Sequence, residues 1–206
     1  TEVDTTTEIF GKKYASPIMT PAFSHLNKVL ENGRTPMEEY SLAAKEMNCL
    51  NWVGMEDDEA YRSITSHNPD TVRIIKPFAD KEKIISEIRF AIECGSTAVG
   101  VDIDHVPGTD GKYDVVDGFP MGAVSFEDLK KYVSLSKLPF VAKGVLSVQD
   151  ALKARDAGCA GIVVSHHHGR LPFAIAPLQI LPKIKEELKN SDMKIFVDCG
   201  MDTGYD

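Results

Sequence analysis

The side chains best suited to catalysis or ligand binding lie in one short stretch, Val164-Ser-His-His-His-Gly-Arg170, which directly follows an apolar run. A histidine can take up a proton near neutral pH. An arginine presents a planar fork that binds a carboxylate through two hydrogen bonds. Because Arg170 follows His167 by three positions, the pair suits a substrate that carries both a transferable hydrogen and a carboxylate.

Two other interpretations of the three adjacent histidines are a polar surface loop and a metal site. Neighbouring residues of an extended segment point to opposite faces, and no His, Asp or Glu pattern at helical spacing completes a ligand set. The sequence therefore predicts no metal site, while the polar loop stays open as an alternative.

Charged residues also end other apolar runs. Lys143 closes the run Phe140-Val-Ala-Lys143, where its ammonium group can stabilise negative charge on a cofactor ring or an enolate. Asp102 and Asp104 face the same side of an extended chain, where a carboxylate can orient and charge a histidine. Asp198-Cys-Gly200 is a glycine-containing turn, which in barrels often binds phosphate through backbone N–H groups. Each position is also compatible with an ordinary solvated strand end.

The elements that must position these residues alternate along the chain. Short runs, mostly apolar on both faces, are typical of strands in a parallel sheet covered on both sides, and stretches of helical period separate them. The predicted strands are Pro17–Pro21, Cys49–Val53, Arg73–Lys76, Ala98–Asp102, Phe140–Lys143, Gly161–Ser165 and Ile195–Asp198.

Six helices fit between these strands. Their start signals are Pro36, Asp57, Asp80, Ser125, Ser147 and Pro177. Ser125 and Ser147 are each followed three residues later by an aspartate, which predicts a capping box at both helices. The interval from His105 to Val124 is rich in glycine and proline and predicts a long loop after the fourth strand.

This α/β alternation allows two folds. A doubly wound sheet that binds a dinucleotide would need a GxGxxG turn after its first strand, and the sequence has none. A (β/α)8 TIM barrel places polar residues at the carboxyl ends of its strands, as observed. We therefore predict a single barrel domain over residues 1–206 that is incomplete, with about seven of eight strands. We expect it to belong to a chain of roughly 300 or more residues that supplies the eighth strand.

Composition narrows the class of protein. The chain has 206 residues and a formal net charge of −8, which disfavours nucleic acid as a partner. No apolar run approaches the ~18 residues of a membrane span. The four cysteines are far apart and form no CxxC pair, so we interpret them as buried thiols of a protein in a reducing cytoplasm.

The ordered series of motifs resembles the FMN-dependent α-hydroxy-acid oxidase and dehydrogenase family, which includes glycolate oxidase and lactate oxidase. The family motif S-N-H-G-G-R corresponds to Ser165-His-His-His-Gly-Arg170. The other matching segments include Asp4-Thr-Thr-Thr7, Phe10-Gly11, Pro17-Ile-Met-Thr-Pro21, Phe140-Val-Ala-Lys-Gly144, Ala151–Gly158, Gly161-Ile-Val-Val-Ser165 and Phe196-Val-Asp-Cys-Gly200.

The resemblance implies FMN as cofactor and oxidation of a small 2-hydroxy acid, similar to lactate or glycolate, to the 2-oxo acid. It implies that His167 takes the proton of the substrate hydroxyl, that Asp104 pairs with His167, and that Arg170 binds the substrate carboxylate. Lys143 falls beside flavin N1 and O2, and Phe78 falls on a substrate-contacting position. The implied flavin contacts are Pro21, Ala22, Phe23, Lys76, Asp102, Ser165, Asp198, Gly200 and Met201. Tetramers are common in this family, so a homo-oligomer is expected.

Several positions depart from the family pattern. His166 and His168 replace the motif's Asn and first Gly. The other replacements are Lys76 for a glutamine, Asp102 for a threonine and Phe78 for a tyrosine. Asp202 falls where an arginine holds the FMN phosphate, and a carboxylate repels a phosphate.

These departures leave two alternatives open. One is a flavin-dependent isomerase of a phosphorylated substrate, similar to type 2 isopentenyl diphosphate isomerases, in which Lys76 and the extra histidines would meet phosphate. The other is a barrel that has lost its cofactor and acts as a binding protein.

Overall fold

A computed structural model describes residues 3–26, 28–108, 110–171, 173–201 and 203, so Asp202 lies outside the described residues. Its strands are β1 (Thr7–Ile9), β2 (Lys12–Tyr14), β3 (Asn51–Val53), β4 (Thr71–Ile75), β5 (Ala98–Asp102), β6 (Val115–Val116), β7 (Phe119–Pro120), β8 (Phe140–Val145), β9 (Gly161–Val164) and β10 (Lys194–Val197). Its helices are α1 (Pro36–Glu46), α2 (Asp58–His67), α3 (Lys81–Glu93), α4 (Phe126–Leu135), α5 (Val148–Asp156) and α6 (Pro177–Glu187).

Six strands form one parallel sheet in the order β3-β4-β5-β8-β9-β10, and a helix connects each strand to the next. This arrangement is the greater part of a (β/α)8 TIM barrel. The predicted fold class is confirmed, and six of the seven predicted strands are present in the sheet.

The first predicted strand is wrong. Residues 17–21 contain no strand, and Pro17 and Pro21 lack the N–H groups that a ladder requires. A single parallel bridge joins Phe23 to Val53 just beyond this segment. The N–H of Gly54 donates to the carbonyl oxygen of Phe23 at 2.7 Å, so the segment still lies along the open edge of β3.

All six predicted helix starts are confirmed, with Pro36 and Pro177 as the first residues of their helices and Ser147 as an N-cap. Asp57, Asp80 and Ser125 are N-caps, and Ser125 forms a complete capping box with Asp128. The capping box predicted at Ser147 is wrong in its second half. The carboxylate of Asp150 accepts from the Ser147 hydroxyl at 2.8 Å, and no reciprocal bond to the backbone N–H completes the box at these two described residues.

Apolar residues fill both faces of the sheet. The outer face packs on helices α3 to α6 around Ile84, Val101 and Ile162. The inner face, which is the barrel interior, is closed at one end by the β1–β2 hairpin. There the Phe196 ring lies 5.9 Å from Phe10 and 4.9 Å from Trp52.

The predicted long loop contains a short hairpin, β6–β7, that the sequence did not predict. Two backbone bonds tie its far end to the segment after β4: Ala79 N–H donates to Pro120 at 2.9 Å, and Gly122 N–H donates to Pro77 at 2.8 Å. The hairpin therefore lies over the carboxyl end of the sheet.

Two findings bear on the compositional predictions. In the part of the chain that the structure describes, no helix has both the length and the apolar character to cross a bilayer. The four cysteines are free, but only Cys159 is fully buried. The expectation of four buried thiols is therefore wrong for the other three.

Candidate active site

The candidate site lies along the carboxyl edge of the sheet. Because the six strands are parallel, their carboxyl ends meet at one edge. The polar side chains that the sequence singled out there are Lys76, Asp102, Lys143, Ser165 and Asp198.

A buried carboxylate shared by two lysines occupies the centre of this edge. Lys76 Nζ lies 3.0 Å from one oxygen of Asp102, and Lys143 Nζ lies 3.2 Å from the other. Burial by itself raises the pKa of Asp102, but the ammonium groups of Lys143 and Lys76 outweigh burial and hold the pKa below its ordinary value. Burial lowers the pKa of Lys143, but Asp102, followed by Asp198 at 4.0 Å, raises it above its ordinary value. Asp102 and Lys143 are therefore charged at neutral pH.

A β-bulge after Lys143 makes room for a second carboxylate. Strand β8 continues two residues beyond its predicted end, and its register shifts between Lys143 and Val145. Gly144 has a φ of +97°, and a Cβ there would overlap the side chain of Asp104. Only glycine meets both conditions, because L side chains rarely adopt this φ.

The predicted pair of His167 and Asp104 lies together. His167 Nδ1 is 3.2 Å from Asp104 Oδ1, with Asp102 Oδ1 at 3.7 Å. The backbone N–H of His167 donates to the hydroxyl of Ser165 at 3.0 Å. Three consecutive left-handed residues, His167, His168 and Gly169, form the turn after β9 that carries the ring.

Arg170 makes an ion pair that the sequence did not predict. Its Nη1 donates to Asp114 Oδ2 at 2.9 Å and to the Pro107 carbonyl at 3.3 Å. His105 Nε2 also lies 2.9 Å from that oxygen of Asp114. The His105 ring stands edge-on to His167, with the ring centroids 5.0 Å apart.

His105 is neutral in this arrangement. Burial, and then the positive charge of Lys76, lowers the pKa of His105 to about 4. Its Nε2 therefore carries the proton that Asp114 accepts. Its Nδ1 is buried and has no hydrogen-bond partner among the described residues.

Three residues of the site escaped prediction: His105, Asp114 and Cys199. His105 directly follows Asp104, so its position near a strand end was the available signal. Asp114 lies in a loop with several acidic residues and has no distinguishing pattern. Cys199 Sγ accepts a hydrogen bond from His168 N–H at 3.1 Å and lies 3.6 Å from Ser165 Oγ, which ties the turn after β10 to the turn after β9.

The remaining predicted positions surround this centre. Phe78 is buried, its ring stands 5.6 Å from that of Phe119, and both line a cavity of about 510 Å³ that also reaches Lys76. The other predicted contacts lie on two segments that flank the edge of the sheet, one before α1 and one after β10: Pro21, Ala22, Phe23, Gly200 and Met201. All five are exposed or half-buried.

One group of side chains has metal-binding geometry, although the sequence predicted no ligand set. One ligand atom each of Asp102, His105 and His167 lies within 4.8 Å of the others. Two ammonium groups already bind the Asp102 carboxylate. A cation would have to displace or tolerate both positive charges, which disfavours a metal here.

The described residues fit one end of the flavin that the resemblance implies. The pyrimidine ring of a flavin carries carbonyl oxygens that accept hydrogen bonds. Lys76 and Lys143 supply two cationic donors that share one central counter-ion, Asp102. The phosphate end would meet residues 198–201 and Asp202, and Asp202 lies outside the described residues.

Comparison with known proteins agrees with this geometry. Residues 108–206 match the model of the family described as FMN-dependent dehydrogenase. An L-lactate oxidase of Nostoc sp. is 38% identical over 112 residues, which are 54% of this chain and 30% of the oxidase. A cytochrome-type L-lactate dehydrogenase of Wickerhamomyces anomalus is 32% identical over 125 residues, which are 58% of this chain and 22% of that enzyme.

Solved structures extend the likeness over nearly the whole fold. The crystal structure of a mandelate oxidase superposes with a TM-score of 0.84 at 21% identity, covering 98% of this chain and 64% of that one. At this identity the likeness concerns the fold. The matched stretches span less than a third of the length of the curated relatives named above. Together, these comparisons show that the chain is similar to FMN-dependent dehydrogenases over residues 108–206, to lactate oxidases and lactate dehydrogenases over part of their length, and to a mandelate oxidase in its fold.

Proposed function

We propose that this chain provides the catalytic residues for the FMN-dependent oxidation of a small 2-hydroxy acid, similar to lactate or glycolate, to the 2-oxo acid. The observation that carries the proposal is the contact of His167 with Asp104, at 3.2 Å, beside Arg170 and the buried lysine Lys143. The names of the relatives, lactate oxidase and lactate dehydrogenase, support the same substrate class.

His167 is the base in this proposal. Its Nδ1 faces Asp104, which leaves Nε2 to take the proton of the substrate hydroxyl. The carboxylates of Asp104 and Asp102, at 3.2 and 3.7 Å from Nδ1, stabilise the imidazolium that forms. The ring keeps its orientation because the backbone N–H of His167 is bound by Ser165.

Arg170 and Lys143 act on the negative charges of the reaction. The guanidinium of Arg170 is 27% exposed in its side chain and faces the site from the same turn as His167, so it can bind the substrate carboxylate. FMN, when bound, supplies the acceptor for the α-hydrogen and its electron pair. Lys143 would hold the cofactor's pyrimidine end together with Lys76, and its ammonium group stabilises negative charge there.

Lys76 distinguishes this proposal from the isomerase alternative. Lys76 is buried and bound to Asp102 at 3.0 Å; this proposal assigns its remaining donor capacity, with that of Lys143, to the flavin, whereas the isomerase alternative assigns it to a substrate phosphate. A cytoplasmic location, a homo-oligomer and a single domain over residues 1–206 remain predictions.

The test is the visible spectrum of the purified full-length protein. We expect flavin absorbance that lactate or glycolate bleaches in the absence of oxygen. His167→Gln should retain the absorbance and lose the bleaching. The matched control, His168→Gln on the exposed side of the same turn, should retain both. A colourless protein that takes up no added FMN would contradict the proposal.

A further inference from the structure

The arginine that faces the site is already occupied by a carboxylate of the chain itself. Arg170 Nη1 donates to Asp114 Oδ2 at 2.9 Å, and the side chains are 27% and 26% exposed. A second acceptor, the Pro107 carbonyl, lies 3.3 Å from the same nitrogen. An incoming carboxylate must therefore displace Asp114 or share the guanidinium with it.

Asp114 is held in place from more than one side. The Nε2–H of neutral His105 donates to Oδ2 at 2.9 Å, and the backbone N–H of Val115 donates to Oδ1 at 2.9 Å. His105 is itself buried against His167. The carboxylate is thus anchored to the wall of the site and cannot swing away freely when a ligand arrives.

The charges of the site leave little attraction for a further anion. The cationic side chains are Lys76, Lys143 and Arg170. The carboxylates within the same network are Asp102, Asp104, Asp114 and Asp198. Both lysines face Asp102, and Arg170 faces Asp114. A ligand carboxylate on Arg170 would therefore lie beside the carboxylate of Asp114, and like charges at such a separation repel.

We propose that Asp114 is a specificity-determining residue that competes with the substrate carboxylate for Arg170 and shifts the preference of the site toward uncharged 2-hydroxy carbonyl compounds, such as amides. The inference rests on the proposed function, because it takes Arg170 as the group that binds the substrate's acid end.

The experiment compares the binding of pyruvate with that of its neutral amide, pyruvamide, to the full-length purified protein by titration calorimetry. Asp114→Asn keeps an acceptor for the Val115 N–H and removes the charge. We expect it to lower the Kd of pyruvate about tenfold, the effect of removing one partly exposed like charge, and to leave the Kd of pyruvamide unchanged. Asp114→Ser, which has a smaller side chain, should also lower the Kd of pyruvate. Agreement between the two variants would show that the gain comes from the lost charge and not from a change in packing.

Asp110→Asn is the matched control, because it removes the same charge from an exposed position of the same loop. The proposal is overturned if Asp114→Asn leaves the pyruvate-to-pyruvamide ratio unchanged or weakens pyruvate binding, or if Asp110→Asn gives the same gain. It is also overturned if neither wild type nor Asp114→Asn binds pyruvate. Binding is measured without turnover, so a protein that shows the Asp114 effect but oxidises no 2-hydroxy acid would refute only the proposed function.

Discussion

Replacing Asp102 by asparagine tests the centre of the site most directly. The substitution keeps the shape of the side chain and removes the negative charge that lies 3.0 Å from Lys76 Nζ and 3.2 Å from Lys143 Nζ. At an effective dielectric constant of about 20, each contact corresponds to a Coulomb attraction of about 5 kcal/mol. In the wild type, the cost of taking the charges out of water offsets most of this attraction.

When only the carboxylate charge is removed, the attraction to Asp102 is lost, but the cost of taking the two ammonium groups out of water remains. The two ammonium groups then remain buried without their counter-ion, a situation that typically costs about 3–5 kcal/mol. Asp198 remains 4.0 Å from Lys143 as a weaker partner, so we expect the lower end of that range. Urea unfolding of Asp102→Asn at pH 7 should show a free energy of unfolding lower by about 3 kcal/mol. Asp110→Asn should change it by less than about 0.5 kcal/mol.

The pH dependence of the free energy of unfolding gives a second measurement. The folded pKa of Asp102 is lowered, so its contribution to stability is present above its unfolded pKa and is lost as the pH falls through the folded pKa. The folded pKa of Lys143 is raised, so its contribution is present below its unfolded pKa and is lost as the pH rises through the folded pKa. The contribution of the Asp102–Lys143 pair to stability should therefore be fully present between about pH 5 and pH 9 and decrease on either side of that window.

A further substitution identifies the cause of the loss. Adding Lys76→Met to Asp102→Asn removes one unpaired ammonium group and should restore part of the stability. A loss below about 1 kcal/mol for Asp102→Asn, or no recovery in the double variant, would show that Asp102 does not neutralise the two lysines as described.

Four further substitutions have defined outcomes. The pKa of His105 is about 4 in the folded state, so the unfolded state binds more protons between pH 4 and 6.5. The wild type should lose up to about 3 kcal/mol of stability as the pH falls through that window, and His105→Gln should flatten the urea-derived pH profile there. Gly144→Ala should cost about 2 kcal/mol or more in urea unfolding, because its Cβ overlaps Asp104 at a φ that alanine avoids. His168→Gly should raise the free energy of unfolding by about 0.5–1 kcal/mol, since it relieves a left-handed residue in an exposed position. Asp104→Asn should slow flavin reduction about 10²- to 10⁴-fold in stopped-flow measurements while the Kd of FMN stays unchanged.

The parallel sheet could be predicted from the sequence because its strands are buried on both faces. Runs such as Gly161–Val164 are continuously apolar, and in a chain where they alternate with helical stretches this pattern is typical of a covered parallel sheet. Since parallel strands share one carboxyl edge, the polar residue after each run could be assigned to one site. The strand predicted at residues 17–21 is wrong because Pro17 and Pro21 lack the N–H groups that a strand ladder requires.

The partners within the site could not be predicted from spacing. Asp114 is ten residues beyond Asp104 in a loop whose path is set by the short β6–β7 hairpin. Lys76 and Lys143 converge on Asp102 only because β4 and β8 both neighbour β5 in the sheet. Such contacts depend on strand order and on the bulge at Gly144, which local pattern does not contain.

The β1–β2 hairpin at the other end of the barrel interior has a consequence for the order of folding. The Phe10 ring of the hairpin packs on Phe196, which in turn packs on Trp52, so the hairpin joins segments that are far apart in the sequence. Closing such long loops costs entropy before the contacts can compensate for it. The hairpin should therefore dock late, after β3 and β10 have joined the sheet, and fluorescence of the single tryptophan, Trp52, should report that step.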